Sequence, residues 1–155
     1  MGYFERNGLV NNTSYFKKQL AISEDCERLF SHWLESRGWT IEAIGEAKSG
    51  YDIKAIRDGL ELAWEIKYNS GIKKYKTIFA ETFQSGYPSG LQKTTADYQV
   101  HFNEDLECRV MKTSDMRKYV IDNDIPLSQT KMMTRSGKVS GCGYRIPWKD
   151  LIKLF

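Results

Sequence analysis

The chain of 155 residues has few of the residues that build disulfide frameworks and zinc centres. Its three cysteines, Cys26, Cys108 and Cys142, are widely separated and form no C-x-x-C pair, so neither a disulfide framework nor a zinc site is indicated. Its two histidines, His32 and His101, nearly exclude a centre that needs three imidazoles. A catalytic site here would therefore consist of carboxylates, lysines or hydroxyls.

Long apolar runs, a secretory signal and a glycine-rich phosphate loop are also missing. The apolar runs are only a few residues long, and the first eighteen residues contain no continuous hydrophobic stretch, so we expect a cytoplasmic protein that does not enter a membrane. The lack of either standard phosphate loop argues against a small-molecule-binding α/β domain. No organic cofactor is expected.

Hydrophobic residues make up 41% of the chain and charged residues 28%, the balance of a soluble globular protein. No repeat or long linker divides the sequence, which predicts an irregular polar arm over residues 1–18 and a single domain over residues 19–155. The net charge of +3 suits a polyanionic partner, but many proteins without such a partner have a similar charge, so the charge alone does not indicate one.

The first regular element is predicted to be a helix with Ser23 as its N-cap and with apolar residues at helical spacing. Gly38 is expected to end this helix. Residues 39–44 alternate between apolar and polar types, as in a half-buried strand, and a loop over residues 45–50 follows.

The later elements are less distinctive. We expect strands at residues 98–102 and 108–111, a helix near residues 114–122, a hairpin through residues 135–138 and a closing amphipathic helix after Pro147. The order α-β-β-β-α-β predicts a mixed central β-sheet flanked by helices, in the α/β or α+β class.

The most informative stretch is a predicted hairpin around Asp58-Gly59, a strong signal for a two-residue turn. If Arg57 pairs with Leu60, residues whose numbers sum to 117 face one another, which places Asp52 opposite Glu65. Directly opposed residues have Cβ atoms roughly 4.5 to 5.5 Å apart. Because side chains alternate along a strand, Lys67 shares the face of these two acids.

This arrangement predicts a metal site. Two carboxylates this close repel each other unless a positive charge lies between them, and Mg²⁺ takes hard oxygen ligands of this kind, together with water and substrate phosphate. The Ile66 carbonyl could add a further oxygen. Lys67 could stabilise charge on a phosphate or help to deprotonate the attacking water.

The pattern Asp52, twelve residues, then Glu65-Ile66-Lys67 resembles the motif of the PD-(D/E)xK nuclease superfamily, although Tyr51 stands where proline would precede the aspartate. The resemblance implies a restriction-endonuclease-like core and a nuclease that depends on Mg²⁺ or Mn²⁺. In the branch of Holliday junction resolvases a further glutamate lies in the first helix. Glu27, which borders the apolar stripe of the predicted helix, matches it, and the resemblance implies that it is a fourth catalytic residue and a ligand of the metal, with Glu24 as the alternative.

Other residues are candidates for contact with nucleic acid. Lys73, Lys74 and Lys76 are interleaved with tyrosines and could hold phosphates, although a solvated loop explains them equally well. The T-x-A-D-like stretch resembles one in small nucleases, which implies backbone contacts for Lys93 and Thr94, while Asp97 is expected to be structural. Two further residues are candidate accessory groups, Glu81 and Gln84.

The leading hypothesis is a metal-dependent endodeoxyribonuclease, structure-specific like the Holliday junction resolvases of phages and recombination systems. Restriction- or repair-type cleavage is the alternative within the same superfamily. A catalytically inactive nucleic-acid-binding or scaffold protein is a reading of a different class. DNA is the expected partner, and a homodimer is expected because cutting two strands usually needs two active sites.

Overall fold

A computed structural model of the chain describes residues 9–45, 50–134 and 137–155. Its first element is the 28-residue helix α1 (Leu9–Ser36). The helix ends in a Schellman-type cap, because the Gly38 N–H donates to the Glu35 carbonyl at 3.1 Å and the Trp39 N–H donates to the Leu34 carbonyl at 3.0 Å. Gly38 has a φ of +90°, which favours glycine, so the predicted stop at Gly38 is confirmed.

The predicted start of this helix is wrong. Ser23 lies in the helix interior, and residues 9–18, expected to be irregular, form its first turns. The helix packs against the strands at 127–134 and 137–147, and a local apolar pattern does not reveal tertiary packing of that kind. Residues 1–8 lie outside the described residues, and the division into an arm (1–18) and one domain (19–155) stays a prediction.

The remaining elements alternate strands with short helices. In chain order they are β1 (Thr40–Ile44), β2 (Ile53–Arg57), β3 (Leu60–Tyr68), α2 (Ile72–Tyr75), β4 (Thr77–Gln84), β5 (Tyr87–Pro88), α3 (Gly90–Lys93), β6 (Tyr98–Phe102), β7 (Cys108–Lys112), α4 (Thr113–Asp122), β8 (Leu127–Thr134), β9 (Gly137–Pro147) and β10 (Ile152–Lys153). The described loop residues are Gly45 and Gly50, and residues 46–49 lie outside the description.

Two sheets make up the strand structure. The six-stranded sheet has the order β1-β2-β3-β6-β7-β10, in which β3 and β6 are parallel and the other neighbours antiparallel. The four-stranded antiparallel sheet has the order β5-β4-β9-β8. This is the predicted mixed central sheet with flanking helices, so the α+β class is confirmed.

The end of the chain differs from the prediction. No closing helix follows Pro147 among the described residues. Instead, a 3₁₀ turn (Trp148–Asp150) leads into β10. The segment pairs with the edge of β7, and Leu151 is buried, so sheet hydrogen bonds and burial outweigh the local helical pattern. The predicted hairpin near residues 135–138 is present as β8 and β9, although residues 135–136 of its turn lie outside the described part of the chain.

The core follows from the alternation along the central strands. Trp64 and Ile66 of β3 face α1, where Phe30 and Leu34 are fully buried. Trp64 packs edge-on against Trp39, with ring centroids 5.0 Å apart. The neighbours of Trp64 and Ile66 on β3 therefore point to the opposite face of the sheet. Within the described residues, no helix combines the length and the apolar character needed to cross a membrane.

The hairpin between β2 and β3 has the predicted register. Arg57 pairs with Leu60, and Ile53 pairs with Trp64. Asp58 and Gly59 have φ values of 52° and 79°, and positive φ at both central residues defines the type I′ turn, whose twist matches that of the two strands.

Replacing Gly59 tests how strongly this turn is specified. A Cβ at Gly59 would meet no atom within 4 Å, so the cost of Gly59→Ala comes from the left-handed backbone alone, about 1–2 kcal/mol. We expect Gly59→Asn to cost less, because asparagine tolerates this conformation. Urea unfolding of the two variants measures the difference, and equal stability of Gly59→Ala and wild type would contradict the turn assignment.

Candidate active site

Asp52 lies immediately before β2, at the open end of the hairpin. Its N–H donates to the Trp64 carbonyl at 2.9 Å, and its Oδ2 accepts the Ile66 N–H at 2.6 Å. The register that pairs Ile53 with Trp64 puts Asp52 opposite Glu65. A side-chain oxygen thus takes the place of the missing backbone partner and holds the carboxylate against β3.

Glu65 and Lys67 lie on the same face of β3, two residues apart. The Lys67 Nζ is 3.1 Å from the Glu65 Oε2. The Glu65 side chain is 13% exposed and that of Lys67 is 47% exposed. The Glu65 side chain is therefore largely shielded from solvent, while about half of the Lys67 side chain is exposed.

The Ile66 carbonyl points to the same edge of β3 as Asp52. The Ala63 carbonyl accepts the Asp97 N–H on the β6 side, and backbone groups alternate in direction along a strand, so the N–H and carbonyl of Ile66 face the β2 side. There β2 begins at Ile53, opposite Trp64, and leaves Ile66 without a facing strand residue. The carbonyl oxygen therefore faces the side of β3 on which the Asp52 carboxylate accepts the Ile66 N–H.

Burial and neighbouring charge shift the protonation of this cluster. Desolvation raises the pKa of Asp52, and repulsion by Glu65 adds to this, although the Ile66 N–H and Lys67 oppose the rise. Desolvation also raises the pKa of Glu27, with repulsion from Asp52 and Glu24. Desolvation lowers the pKa of Lys67, but attraction by Glu65, Asp52 and Glu81 outweighs it and leaves this pKa above its ordinary value. The pKa values of Asp52 and Glu27 thus depend on the neighbouring carboxylates and on the Lys67 ammonium.

These residues line an open cleft of about 780 Å³. Asp52, Glu65 and Lys67 come from the hairpin, and Glu27 reaches the cleft from α1. The turn between β4 and β5, together with α3, forms the other side and brings three more of the predicted residues into it: Gln84, Lys93 and Thr94.

Thr94 and Asp97 are engaged inside the protein. Thr94 is buried, and its hydroxyl donates to the Gly50 carbonyl at 3.1 Å and accepts the Ala96 N–H at 3.1 Å. The Asp97 Oδ2 accepts the Ala63 N–H at 2.8 Å, which agrees with the structural role expected for it. Lys93 is exposed at the cleft and can meet a ligand.

The lysines of the α2 region are not brought to the cleft. Lys73 and Lys74 belong to α2, and Lys76 is its C-terminal cap. The Lys73 Nζ is 2.8 Å from the Asp105 Oδ1, and the Lys74 Nζ lies over the Tyr75 ring, 5.2 Å from its centroid. None of the three lines the cleft. Their contact with nucleic acid therefore stays a prediction without support from their position.

Sequence reasoning missed part of the cleft wall. Leu20 lines it from the part of α1 that lies before the predicted helix start at Ser23, and Tyr87 of β5 and Ser89 at the start of α3 line it as well. Tyr87 is 75% exposed. The neighbouring Ser85-Gly86 dipeptide was a possible sequence signal for a turn at this place. In the structure both residues have positive φ and form a tight hairpin turn.

The donor set fits a small hard cation. Among the described residues, no three side chains of the His, Cys, Asp and Glu types form a cluster that could hold an ion, and the role of Glu27 as a ligand stays a prediction. Asp52, Glu65 and the Ile66 carbonyl supply oxygen atoms only. Mg²⁺ commonly uses one or two carboxylates and completes its shell with water.

The chain thus has an α+β fold with a mixed central sheet, and two acids and a lysine lie on the hairpin of that sheet. No protein-family model and no curated protein matches it. Among solved structures, it is similar to the bacterial homing endonuclease I-Ssp6803I, with a TM-score of 0.47 and 15% identity over 66% of this chain and 72% of that chain.

His101 makes the stability of the site region depend on pH. The imidazole is buried, and its Nδ1 lies 2.8 Å from the Asn69 Nδ2. Desolvation and the charge of Lys67 lower its pKa to about 3. Because the unfolded chain binds a proton near pH 6.5 and the folded chain does not, folding stability is lost as the pH falls from 6.5 toward 3.

The expected loss between pH 7 and pH 5 is about 2 kcal/mol, at about 1.4 kcal/mol for each pKa unit. Urea unfolding of wild type and His101→Gln at both pH values measures this term by difference. The variant should lose less stability on acidification. An identical pH dependence in the two proteins would mean that His101 is not held neutral.

Proposed function

We propose that this chain is a metal-dependent nuclease that hydrolyses phosphodiester bonds in DNA. The observation that carries the proposal is the hairpin register, which sets Asp52 opposite Glu65 with Lys67 on the same face. All three side chains line one open cleft. The match to the PD-(D/E)xK pattern, with its two acids and a lysine at this spacing, supports the same reaction.

Asp52, Glu65 and the Ile66 carbonyl would hold Mg²⁺ or Mn²⁺. The ion, when bound, would lower the pKa of a water molecule and neutralise charge on the phosphate. The Ile66 N–H fixes the Asp52 carboxylate, so its free oxygen is set in place before substrate arrives. The Lys67 ammonium reaches into the cleft, where it can orient the attacking water or stabilise negative charge on the phosphate oxygens.

Glu27 is the residue that helix α1 contributes to the proposed site. It lies close enough to the strand acids for Asp52 to raise its pKa. From α1 it would complete the shell of the ion, directly or through a bound water molecule, or hold the attacking water. The helical glutamate of Holliday junction resolvases resembles it in position along the sequence.

The substrate proposed is DNA, with branched DNA preferred. An open cleft with Lys93 at its edge can admit a sugar-phosphate backbone. The resemblance of the Glu27 segment to junction resolvases favours a four-way junction over linear duplex. Cleavage of two strands would use a homodimer, in which each copy brings one cleft.

Cleavage assays test the enzyme and its substrate together. Wild-type protein should cut a labelled four-way junction in Mg²⁺ or Mn²⁺ and should not cut it with chelator. Glu65→Ala should lower the rate by at least about 100-fold, because it removes a ligand of the ion. Glu61→Ala, on the same strand and face but exposed near the turn, is the matched control and should cut normally.

The same assay with matched linear duplex and with single-stranded DNA measures which DNA structure the protein prefers to cut. Preference for the junction supports a resolvase-like enzyme, and equal cutting of linear duplex supports a restriction- or repair-type enzyme. If the folded wild-type protein binds these DNA substrates but cuts none of them, the nuclease proposal is contradicted and a nucleic-acid-binding role is favoured.

Metal binding is measured separately by calorimetric titration with Mn²⁺ in the absence of DNA. Wild type should bind the ion, and Asp52→Ala should abolish measurable binding, since it removes one of the two carboxylates. Glu27→Ala should weaken binding less than Asp52→Ala, because Glu27 reaches the cleft from α1, whereas the Asp52 carboxylate is held against β3 by the Ile66 N–H. Unchanged binding in Asp52→Ala would show that the ion, if any, lies elsewhere.

A further inference from the structure

A second cavity, of about 210 Å³, adjoins the cleft, and Lys67 lines both. Its other walls come from β4, α3 and β6 and include Glu81, Gln99 and His101. His101 is neutral above a pKa of about 3, and Gln99 is engaged with the Thr113 hydroxyl at 3.0 Å. Among the residues that line this cavity, Lys67 and Glu81 therefore carry the charges at neutral pH.

The backbone at Glu81 is held in an unusual way. β4 pairs Glu81 with Gly143 and then Phe83 with Cys142, so Thr82 is an extra residue and forms a β-bulge. Bulges bend a strand and change the direction of its side chains. The bulge follows Glu81 directly, which means that the strand is locally reshaped at this carboxylate.

Two glycines permit this shape. A Cβ on Gly143 would lie 2.4 Å from the Ala80 carbonyl oxygen and 2.8 Å from the Glu81 Cα. A Cβ on Gly90 would lie 2.3 Å from the Glu81 carbonyl oxygen. Both contacts are closer than real Cβ atoms come, so β9 and α3 can approach Glu81 this tightly only because both positions are glycine.

The Glu81 side chain is also fixed. The Ser89 hydroxyl, at the entry to α3, donates to the Glu81 Oε2, and the Ser89 N–H donates to the Thr82 carbonyl at 2.9 Å. The carboxylate is therefore anchored from a second segment. Such support on both backbone and side chain is what a residue needs if it is to position another group.

Lys67 needs such a partner in the proposed enzyme. The amine now lies 3.1 Å from Glu65, but an ion held by Asp52 and Glu65 would take up the negative charge that attracts it. Lysine has a flexible four-carbon stem and can turn to another acid. Glu81 makes no direct ion pair with Lys67 among the described residues, and the cavity between them has room for bridging water or for this movement.

We infer that Glu81 is a positioning residue that holds the Lys67 ammonium in place when the two strand carboxylates bind the metal ion. The inference rests on the proposed nuclease function. It adds a role for the second sheet, since β4 supplies the acid that directs a lysine of the central sheet. Ser89 supports this role through Glu81.

Single-turnover cleavage of the DNA substrate in Mg²⁺ tests the inference. Glu81→Gln should lower the cleavage rate by about 10- to 100-fold, the loss typical of a misplaced catalytic group, with DNA affinity in Ca²⁺ and the melting temperature unchanged. Ser89→Ala should lower the rate in the same direction by a smaller factor. Glu107→Gln, a partly buried acid paired with Arg109, is the matched control and should retain the wild-type rate.

A double-variant comparison separates positioning from general damage. In a Lys67→Gln background, Glu81→Gln should cause no further loss of rate, because the group that it positions is gone. A further loss as large as that in wild type would overturn the inference, and so would a wild-type rate in Glu81→Gln itself.

Side-chain NMR of ¹⁵N-labelled lysine gives a readout that does not need cleavage. In Mg²⁺ at low temperature, the Lys67 ammonium should give a signal with slowed proton exchange in wild type and in Glu107→Gln, and this signal should be lost in Glu81→Gln. An unchanged signal in Glu81→Gln would overturn the inference. If wild type cut no DNA, the nuclease proposal would fail, and this signal would still decide whether Glu81 holds Lys67.

Discussion

The pairing of Arg57 with Leu60 across a two-residue turn is the constraint on which the candidate site depends. Side chains alternate with a period of two, so a slip of one residue would move Glu65 and Lys67 to the face of α1 and bring Trp64 to the cleft. The buried Trp64 and Ile66 resist such a slip, because their apolar surface would be exposed. The packing of one face of β3 thus holds the acids on the other.

The same hairpin places like charges close together in a partly buried cleft. Asp52 and Glu65 repel each other, which raises the pKa of Asp52 beyond the effect of desolvation. The Ile66 N–H and the Lys67 ammonium offset part of this repulsion. The arrangement is therefore less stable by itself than with a cation between the acids, and this is the physical basis for the metal dependence that we propose.

The second sheet completes the surroundings of Lys67. It meets the central sheet through polar contacts, since the Asn69 side chain bonds both the His101 ring and, at 3.4 Å, the Phe79 N–H of β4. Gly90 and Gly143 allow the close approach that brings Glu81 to the cavity at Lys67. None of this follows from a local pattern, because the contacting residues are far apart along the chain.

Local chemistry was enough to predict the hairpin, the positions of Asp52, Glu65 and Lys67, the strand Tyr98–Phe102 and the helix stop at Gly38. Each depends on neighbours in sequence: a turn that needs positive φ, a period of two, or a glycine cap. Tertiary structure decided the length of α1, the strand β10 in place of a closing helix, and the remote position of Lys73 and Lys74. The packing of a helix, the pairing of an edge strand and the distance between two segments all depend on residues far apart along the chain. A local stretch of sequence therefore does not show them.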